Sequence, residues 1–306
     1  MRNRTVLIGG GTGLVGSRLS ELLEAQNYQV IHLSRKANPD ARFPAYAWDV
    51  KNNTIDLEAI QEADYVVNLA GAGIVDKRWT AAQRKIIIDS RVNSTLLLKN
   101  AFQKANKTPK AFVSAAAIGY YGNTGEALVS EETQPADSRF LSQSCVAWEK
   151  ALDEVKNTGW RTARLRISIV LSTKGGALEK IMLPLKANIG GYFANGQQWY
   201  SWIHIDDMCN MFIHAIENDD FKGTFNASAP HPERNKPFTQ KVASAMNKTV
   251  LMAPAPAFAM RLAMGEMADT ILNSNRISSK KVQKAGFKFL FPELEAAVSD
   301  LIRRKI

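Results

Sequence analysis

Short apolar runs alternate with stretches of helical spacing through the first two thirds of the chain. Thr5–Ile8 is a short apolar run, and Tyr28–Leu33, Tyr65–Leu69, Ala111–Ser114 and Arg161–Val170 are likewise strand-like, a set expected to be covered on both faces. Between them, Leu14–Ala25 places Leu19, Leu22 and Leu23 on one side of a helix, and Ser94–Ala105 and Phe140–Val155 also carry helical spacing. Strand and helix in this order predict an α/β fold, a doubly wound parallel sheet of the Rossmann type.

The rhythm breaks after Leu171. Gly175–Gly176, Gly190–Gly191 and Asn195–Gly196 mark turns around a stretch holding Trp199 and Trp202. A helix is predicted from near Asp206 towards Ile216, capped by Asp206 or Asp207, and Gly223–Ala227 reads as a further strand. Pro230, Pro232, Pro237, Pro254 and Pro256 then punctuate a less regular region. The expected division is a nucleotide half over 1–171, with 204–227 returning to it. A smaller C-terminal substrate lobe is expected from 172–203 and 228–306.

Composition narrows the function classes. The 306 residues, 45% hydrophobic and 22% charged, suit one large domain or a domain with an appendage. The net charge of +10 is scattered, with short clusters at Lys280, Lys281 and Lys284 and at Arg303, Arg304 and Lys305. There is no basic stripe interleaved with aromatics, so the expectation is a solvated surface and an anionic small ligand, not nucleic acid. No apolar run reaches the roughly 18 residues of a membrane span, and no secretory series is legible at the start. Cys145 and Cys209 give neither a disulfide framework nor metal-ligand spacing, and His32, His214 and His231 add none. A cytoplasmic protein without a metal site is expected.

The sharpest chemical signal is Gly9-Gly10-Gly11-Thr12-Gly13-Leu14-Val15-Gly16, between the first strand and the first helix. In such a loop Gly10 permits a tight turn, Gly13 lets the backbone approach a pyrophosphate, and Gly16 allows close helix–strand packing. The uncapped N–H groups at the helix start, with the dipole, favour phosphate charge. Gly10, Thr12, Gly13, Leu14 and Val15 are therefore candidate dinucleotide contacts. The second strand ends His32-Leu33-Ser34-Arg35-Lys36, with no carboxylate between Glu24 and Asp40. A carboxylate there would accept from the ribose 2′-hydroxyl of NAD, whereas a guanidinium offers a fork for a 2′-phosphate. Ser34, Arg35 and Lys36 thus point to NADP(H). Asn68-Leu69-Ala70-Gly71-Ala72 ends a later strand on small residues, which would let a cofactor pass close to Leu69, Ala70 and Gly71.

With these residues in place, the chain resembles the extended short-chain dehydrogenase/reductases, and within them the atypical NADP-binding epimerase-family proteins related to nucleoside-diphosphate-sugar epimerases. The likeness spans nearly the whole chain. It rests on the glycine loop, Ser34-Arg35, Asn68 to Gly71, Arg78-Trp79-Thr80, Ser90-Arg91 and Gly119-Tyr120-Tyr121-Gly122. Trp148-Glu149, Arg166 to Leu171, Gly175-Gly176-Ala177, Ser201 to Asp207 and Phe291-Pro292-Glu293-Leu294 complete it. The resemblance implies that Arg91, Ser114 and the backbone around Arg166 and Ile167 also line the cofactor site.

The superfamily works through a Tyr that transfers the proton, a Lys four residues later that lowers its pKa, and a Ser that orients the substrate oxygen. Set against that pattern, Leu141 stands at the Tyr position, Cys145 at the Lys position and Ala116 at the Ser position. Lys150 does not restore the set, because Val146 lies four residues before it. Leucine donates no proton and a thiol supplies no permanent positive charge. The resemblance therefore carries the fold and cofactor, but not the usual acid–base chemistry, and no catalytic residue is assigned.

Three further side chains are candidates for a substrate. Tyr121 either faces a ligand or packs with its hydroxyl satisfied. Alternation turns His204 away from Ile203 and Ile205, towards a cleft or solvent, unless it is a structural histidine. Trp202, with Trp199 and Tyr200, forms either a stacking wall or a core. Two functions stand side by side. One is an NADP(H)-dependent oxidoreductase or epimerase-like enzyme acting on a small, sugar-like substrate. The other is a non-catalytic NADPH-binding sensor or partner-binding protein.

Overall fold

The computed structural model describes residues 4–306. From its amino end come β1 (Thr5–Gly9), α1 (Leu14–Ala25), β2 (Gln29–Ser34), β3 (Ala45–Asp49), β4 (Thr54–Ile55), α2 (Leu57–Glu62), β5 (Tyr65–Asn68), α3 (Ala81–Lys104) and β6 (Ala111–Ala117). There follow β7 (Leu128–Val129), α4 (Phe140–Lys156), β8 (Thr162–Ile167), β9 (Ile169–Leu171), α5 (Gly176–Lys186), β10 (Ile189–Phe193), β11 (Trp199–Tyr200), β12 (Trp202–His204), α6 (Ile205–Glu217) and β13 (Gly223–Ala227). Short strands and helices fill the remainder, ending in a helix over Leu294–Arg304.

The fold is of the Rossmann type, with a smaller C-terminal lobe of helices and short strands. Its main sheet has eight strands in the order β13-β8-β6-β5-β1-β2-β3-β4. The pairs β1–β2, β1–β5, β2–β3 and β5–β6 are parallel, and β3–β4 is antiparallel. Val6, Leu7 and Ile8 of β1 and Val66 and Val67 of β5 have no exposure, as expected for strands covered on both faces. Leu19 and Leu23 of α1, Leu98 and Phe102 of α3 and Leu152 and Val155 of α4 are equally sealed. Truncating one of them, as in Leu19→Ala, costs about 2–5 kcal/mol through lost burial and the cavity left behind.

The chain forms two compact units. The first is 1–116, 144–165 and 209–224, and the second is 117–143, 166–208 and 225–306. Residues 117–143 and 166–171, grouped with the nucleotide half in the sequence division, thus lie in the second unit.

Several elements differ from their sequence readings. The single strand expected over Arg161–Val170 is two, broken at Ser168, whose N–H and hydroxyl both donate to the Ala227 carbonyl at 3.1 and 2.9 Å. Beyond the break, β9 pairs in parallel with β12, Leu171 opposite His204. Strand β3 was not foreseen because only Trp48 of its five residues is buried. Helix α3 begins at Ala81 instead of Ser94, its start capped by the Thr80 hydroxyl, which accepts from the Gln83 N–H at 3.2 Å.

The start of α6 also departs from expectation. Neither Asp206 nor Asp207 caps it; the Asp206 N–H donates to Nδ1 of His204 at 3.0 Å. Both carboxylates have tertiary partners. Asp207 accepts from the N–H groups of Leu290 and Phe291 at 2.7 and 3.0 Å, and Asp206 pairs with Arg304 at 2.8 Å.

Candidate nucleotide site

The loop between β1 and α1 shows why its glycines are glycines. Gly10 has φ +83°, and a Cβ there would stand 2.9 Å from the Leu69 carbonyl carbon. Gly16 packs so tightly that a Cβ would lie 2.7 Å from Gly11 Cα. At Gly13 the same test meets only Gly10 O, at 3.4 Å, so this backbone faces open space. Gly13 is also the residue before α1, and no side chain caps the helix there. The first N–H groups of α1 are thus presented to a ligand, with Thr12 and Gly13 exposed and Leu14 and Val15 half-buried. The residues fit a dinucleotide pyrophosphate.

Beside this loop lies a cavity of about 350 Å³, with Thr12, His32, Ser34, Lys36, Arg42 and Phe43 in its wall. Ser34 and Lys36 therefore meet the loop across one space. Arg35, between them, is exposed and outside the wall. Among the described residues no ion pair engages Arg35 or Lys36, which leaves two cations uncompensated at the end of β2. His32 is buried, 2.8 Å from the Ser20 hydroxyl, and burial pulls its pKa down, so it contributes a neutral ring. Arg42, Phe43 and the loop that carries them were not singled out in the sequence. The signal available was a second basic residue soon after Lys36.

At the end of β5, Asn68 holds the small-residue turn. Its Nδ2 donates to Thr95 Oγ1 at 3.1 Å and its Oδ1 accepts from the Ala70 N–H at 3.1 Å. Leu69 and Ala70 are half-buried and Gly71 is exposed. Arg91 reaches this turn from α3, with Nη1 donating to the Ile87 carbonyl at 2.9 Å and Cζ 5.3 Å above the Trp148 ring. No ion pair engages Arg91 either, among the described residues. Ser114 is fully buried on β6, its hydroxyl donating to the Ala115 carbonyl at 2.9 Å. Of the three residues that the sequence resemblance sets against an acid–base triad, Ala116 and Cys145 are buried and Leu141 is half-buried.

The second unit accounts for the other candidates. Tyr121 has no exposure; its hydroxyl donates to Asn226 Oδ1 at 2.6 Å and accepts from Arg166 Nη1 at 2.9 Å. Burial pushes its pKa up to about 12. The Arg166 guanidinium also lies 3.7 Å from the Tyr120 ring centre and donates to the Glu131 carbonyl at 3.1 Å, while Ile167 is half-buried. Trp202 is sealed, its indole N–H donating to the His231 carbonyl at 2.9 Å. His204 is sealed too, because β12 is covered on both faces and alternation does not bring it to solvent. It stacks on Phe291 with ring centres 4.0 Å apart, and Nε2 lies 3.3 Å from Asp300. Burial lowers its pKa to about 4, consistent with an Nδ1 that accepts a backbone hydrogen bond. Tyr121, Trp202 and His204 are therefore interior residues in this structure, with no open face towards a ligand.

No helix among the described residues is long and apolar enough to cross a membrane. No described group of three or more His, Cys, Asp or Glu has the arrangement to hold a metal ion.

Comparison with known proteins gives the family and the fold. The NAD dependent epimerase/dehydratase family matches residues 6–228, and a domain of unknown function (DUF1731) matches residues 255–301. An epimerase family protein of Staphylococcus aureus (strain NCTC 8325) is 36% identical over 299 residues, covering 97% of this chain and 98% of its own. The crystal structure of the human epimerase family protein SDR39U1 (isoform 2) with NADPH has a TM-score of 0.88 and 30% identity, covering 98% of this chain and 99% of that one. The UDP-N-acetylglucosamine 4-epimerase from Bacillus cereus, at 16% identity and TM-score 0.78 with 99% of each chain covered, shares the fold.

Proposed function

The chain belongs to the NAD dependent epimerase/dehydratase family, and from that premise we propose that its cofactor is NADP(H), held by the glycine loop and the basic end of β2. It is a nucleotide-binding, oxidoreductase/epimerase-like protein. The observation that carries the NADP(H) reading is the pair Arg35 and Lys36, uncompensated beside a cavity that Ser34, Lys36 and Thr12 line. Two positive charges without a carboxylate favour a 2′-phosphate over a 2′-hydroxyl. The human relative was crystallised with NADPH, which supports the same choice.

In this reading the N–H groups at the start of α1 bind the pyrophosphate, and Gly10 and Gly16 keep the loop tight enough to present them. Arg91 lends charge at the turn Leu69-Ala70-Gly71. Ser114, on β6, completes the lining. A bound nicotinamide supplies hydride chemistry, on a small, sugar-like substrate. Replacement of Arg35 by Ala tests the reading. NADPH affinity should fall by tenfold or more while NADH affinity changes little; an equal loss for both would separate Arg35 from the 2′-phosphate.

A second reading has its own support. Ala116, Leu141 and Cys145 stand where the superfamily's proton-transfer groups would be, and Tyr121 and His204 are sealed and engaged. A protein that binds NADPH as a sensor or partner-binding module fits these features. Incubation with NADPH or NADP⁺ and a panel of carbonyl compounds and nucleotide sugars separates the two, because only the enzyme turns over the cofactor or isomerises a sugar.

A further inference from the structure

Residues 38–45 form a closed loop. The Asn38 N–H donates to the Ala45 carbonyl at 2.8 Å, and the Ala45 N–H returns to the Asn38 carbonyl at 3.0 Å. This bridge fixes a loop whose Arg42 and Phe43 line the same cavity as Thr12, Ser34 and Lys36. Arg42 Cζ lies 5.1 Å from the Phe43 ring centre, and its Nη2 is 2.5 Å from Glu24 Oε2. Both ends of the Arg42–Glu24 pair are largely exposed, at 63% and 45%. Such a pair adds little stability and is screened by salt, so it is easily exchanged. Glu24 itself is not part of the cavity wall, and the carboxylate that is, Glu21, is engaged by Arg18 at 2.8 Å. A phosphate monoester is nearly a dianion at neutral pH and presents three acceptor oxygens, a better match for a guanidinium fork than one exposed carboxylate.

We infer that Arg42, parked on Glu24 at the rim of the cavity, is a specificity-determining residue that joins Ser34 and Lys36 on the adenosine 2′-phosphate. The inference rests on the NADP(H) reading above and extends it to a residue outside the β2 end. Glu24 is then a competitor for the cation that the 2′-phosphate needs, and Phe43 keeps the guanidinium over the cavity.

Calorimetric titrations with NADPH and with NADH test it, on the unaltered protein and on Arg42→Gln, Glu24→Gln and Arg35→Ala, each checked for an unchanged melting temperature. Arg42→Gln should weaken NADPH tenfold or more and leave NADH within twofold. Glu24→Gln should tighten NADPH twofold or more without affecting NADH, a gain that a merely structural ion pair would not give. Should Arg42→Gln leave the NADPH-to-NADH ratio intact while Arg35→Ala abolishes it, the role of Arg42 falls and the NADP(H) reading stands. Equal affinity of the unaltered protein for both dinucleotides would overturn both.

Discussion

The Arg91 guanidinium lies directly against Gly71: a Cβ on that glycine would stand 3.0 Å from Arg91 Cζ. The smallest residue is therefore matched to a half-buried cation that no described carboxylate compensates. Because this contact lies at the end of β5 and not at β2, Arg91→Ala should weaken NADPH and NADH alike, each by about tenfold, or about 1.4 kcal/mol. Gly71→Ala should do the same more weakly, since the guanidinium must give by only a few tenths of an ångström. A change in the ratio of the two affinities would place Arg91 on the 2′-phosphate instead.

Two buried groups set opposing pH dependences in the second unit. Burial lowers the His204 pKa to about 4, below the ordinary 6.5, so the unfolded chain binds the proton first and stability falls as pH drops from about 6.5 towards 4. Over that window the loss approaches about 3 kcal/mol. Burial raises the Asp207 pKa to about 6, from an ordinary 3.8, so the folded chain takes up this proton first and stability rises as pH drops from about 6 to 4. His204→Asn, whose amide oxygen can still accept from the Asp206 N–H, should make the protein more resistant to urea at pH 5 than at pH 7. Asp207→Asn should steepen the acid loss. Parallel urea midpoints for both variants at the two pH values would show that neither group titrates as described.

Tyr121 offers a stability test. Tyr121→Phe leaves the Asn226 amide oxygen and an Arg166 N–H without this hydroxyl inside a sealed region. A cost of about 1–3 kcal/mol is expected, read as a lower denaturation midpoint, with NADPH affinity unchanged. Unaltered stability together with lost ligand binding would return Tyr121 to a ligand site.

Ala194 adopts φ +51°, in the left-handed region that penalises a Cβ. Ala194→Gly should therefore stabilise the protein by about 0.5 kcal/mol or more, despite the greater freedom glycine gives the unfolded chain. Ala194→Val should destabilise it. Thermal unfolding of the two variants checks the order.

The parts of the molecule that obey local rules were legible in the sequence. Runs such as Thr5–Ile8 and Tyr65–Leu69 carry their own burial pattern, and the loop Gly9–Gly16 carries its tight conformation. Strand β3 was hidden because only Trp48 turns inward. The start of α6 was misread because Asp206 and Asp207 have the right chemistry for a cap, but Arg304 and the N–H groups of Leu290 and Phe291, far along the chain, engage them. His204 followed the same logic: alternation places it opposite Ile203, but says nothing of the Phe291 ring that covers it. Arg42 was missed because its approach to the cavity depends on the bridge between Asn38 and Ala45, a contact that leaves no pattern in the chain.

In the proposed function, this loop and this basic strand end select the phosphorylated dinucleotide. The decisive experiment is titration of the purified, ligand-free protein with NADPH and then with NADH, by calorimetry at one fixed ionic strength. Saturable 1:1 binding of NADPH, at least tenfold tighter than NADH, is the result expected. Equal affinities, or no heat with either, would contradict it.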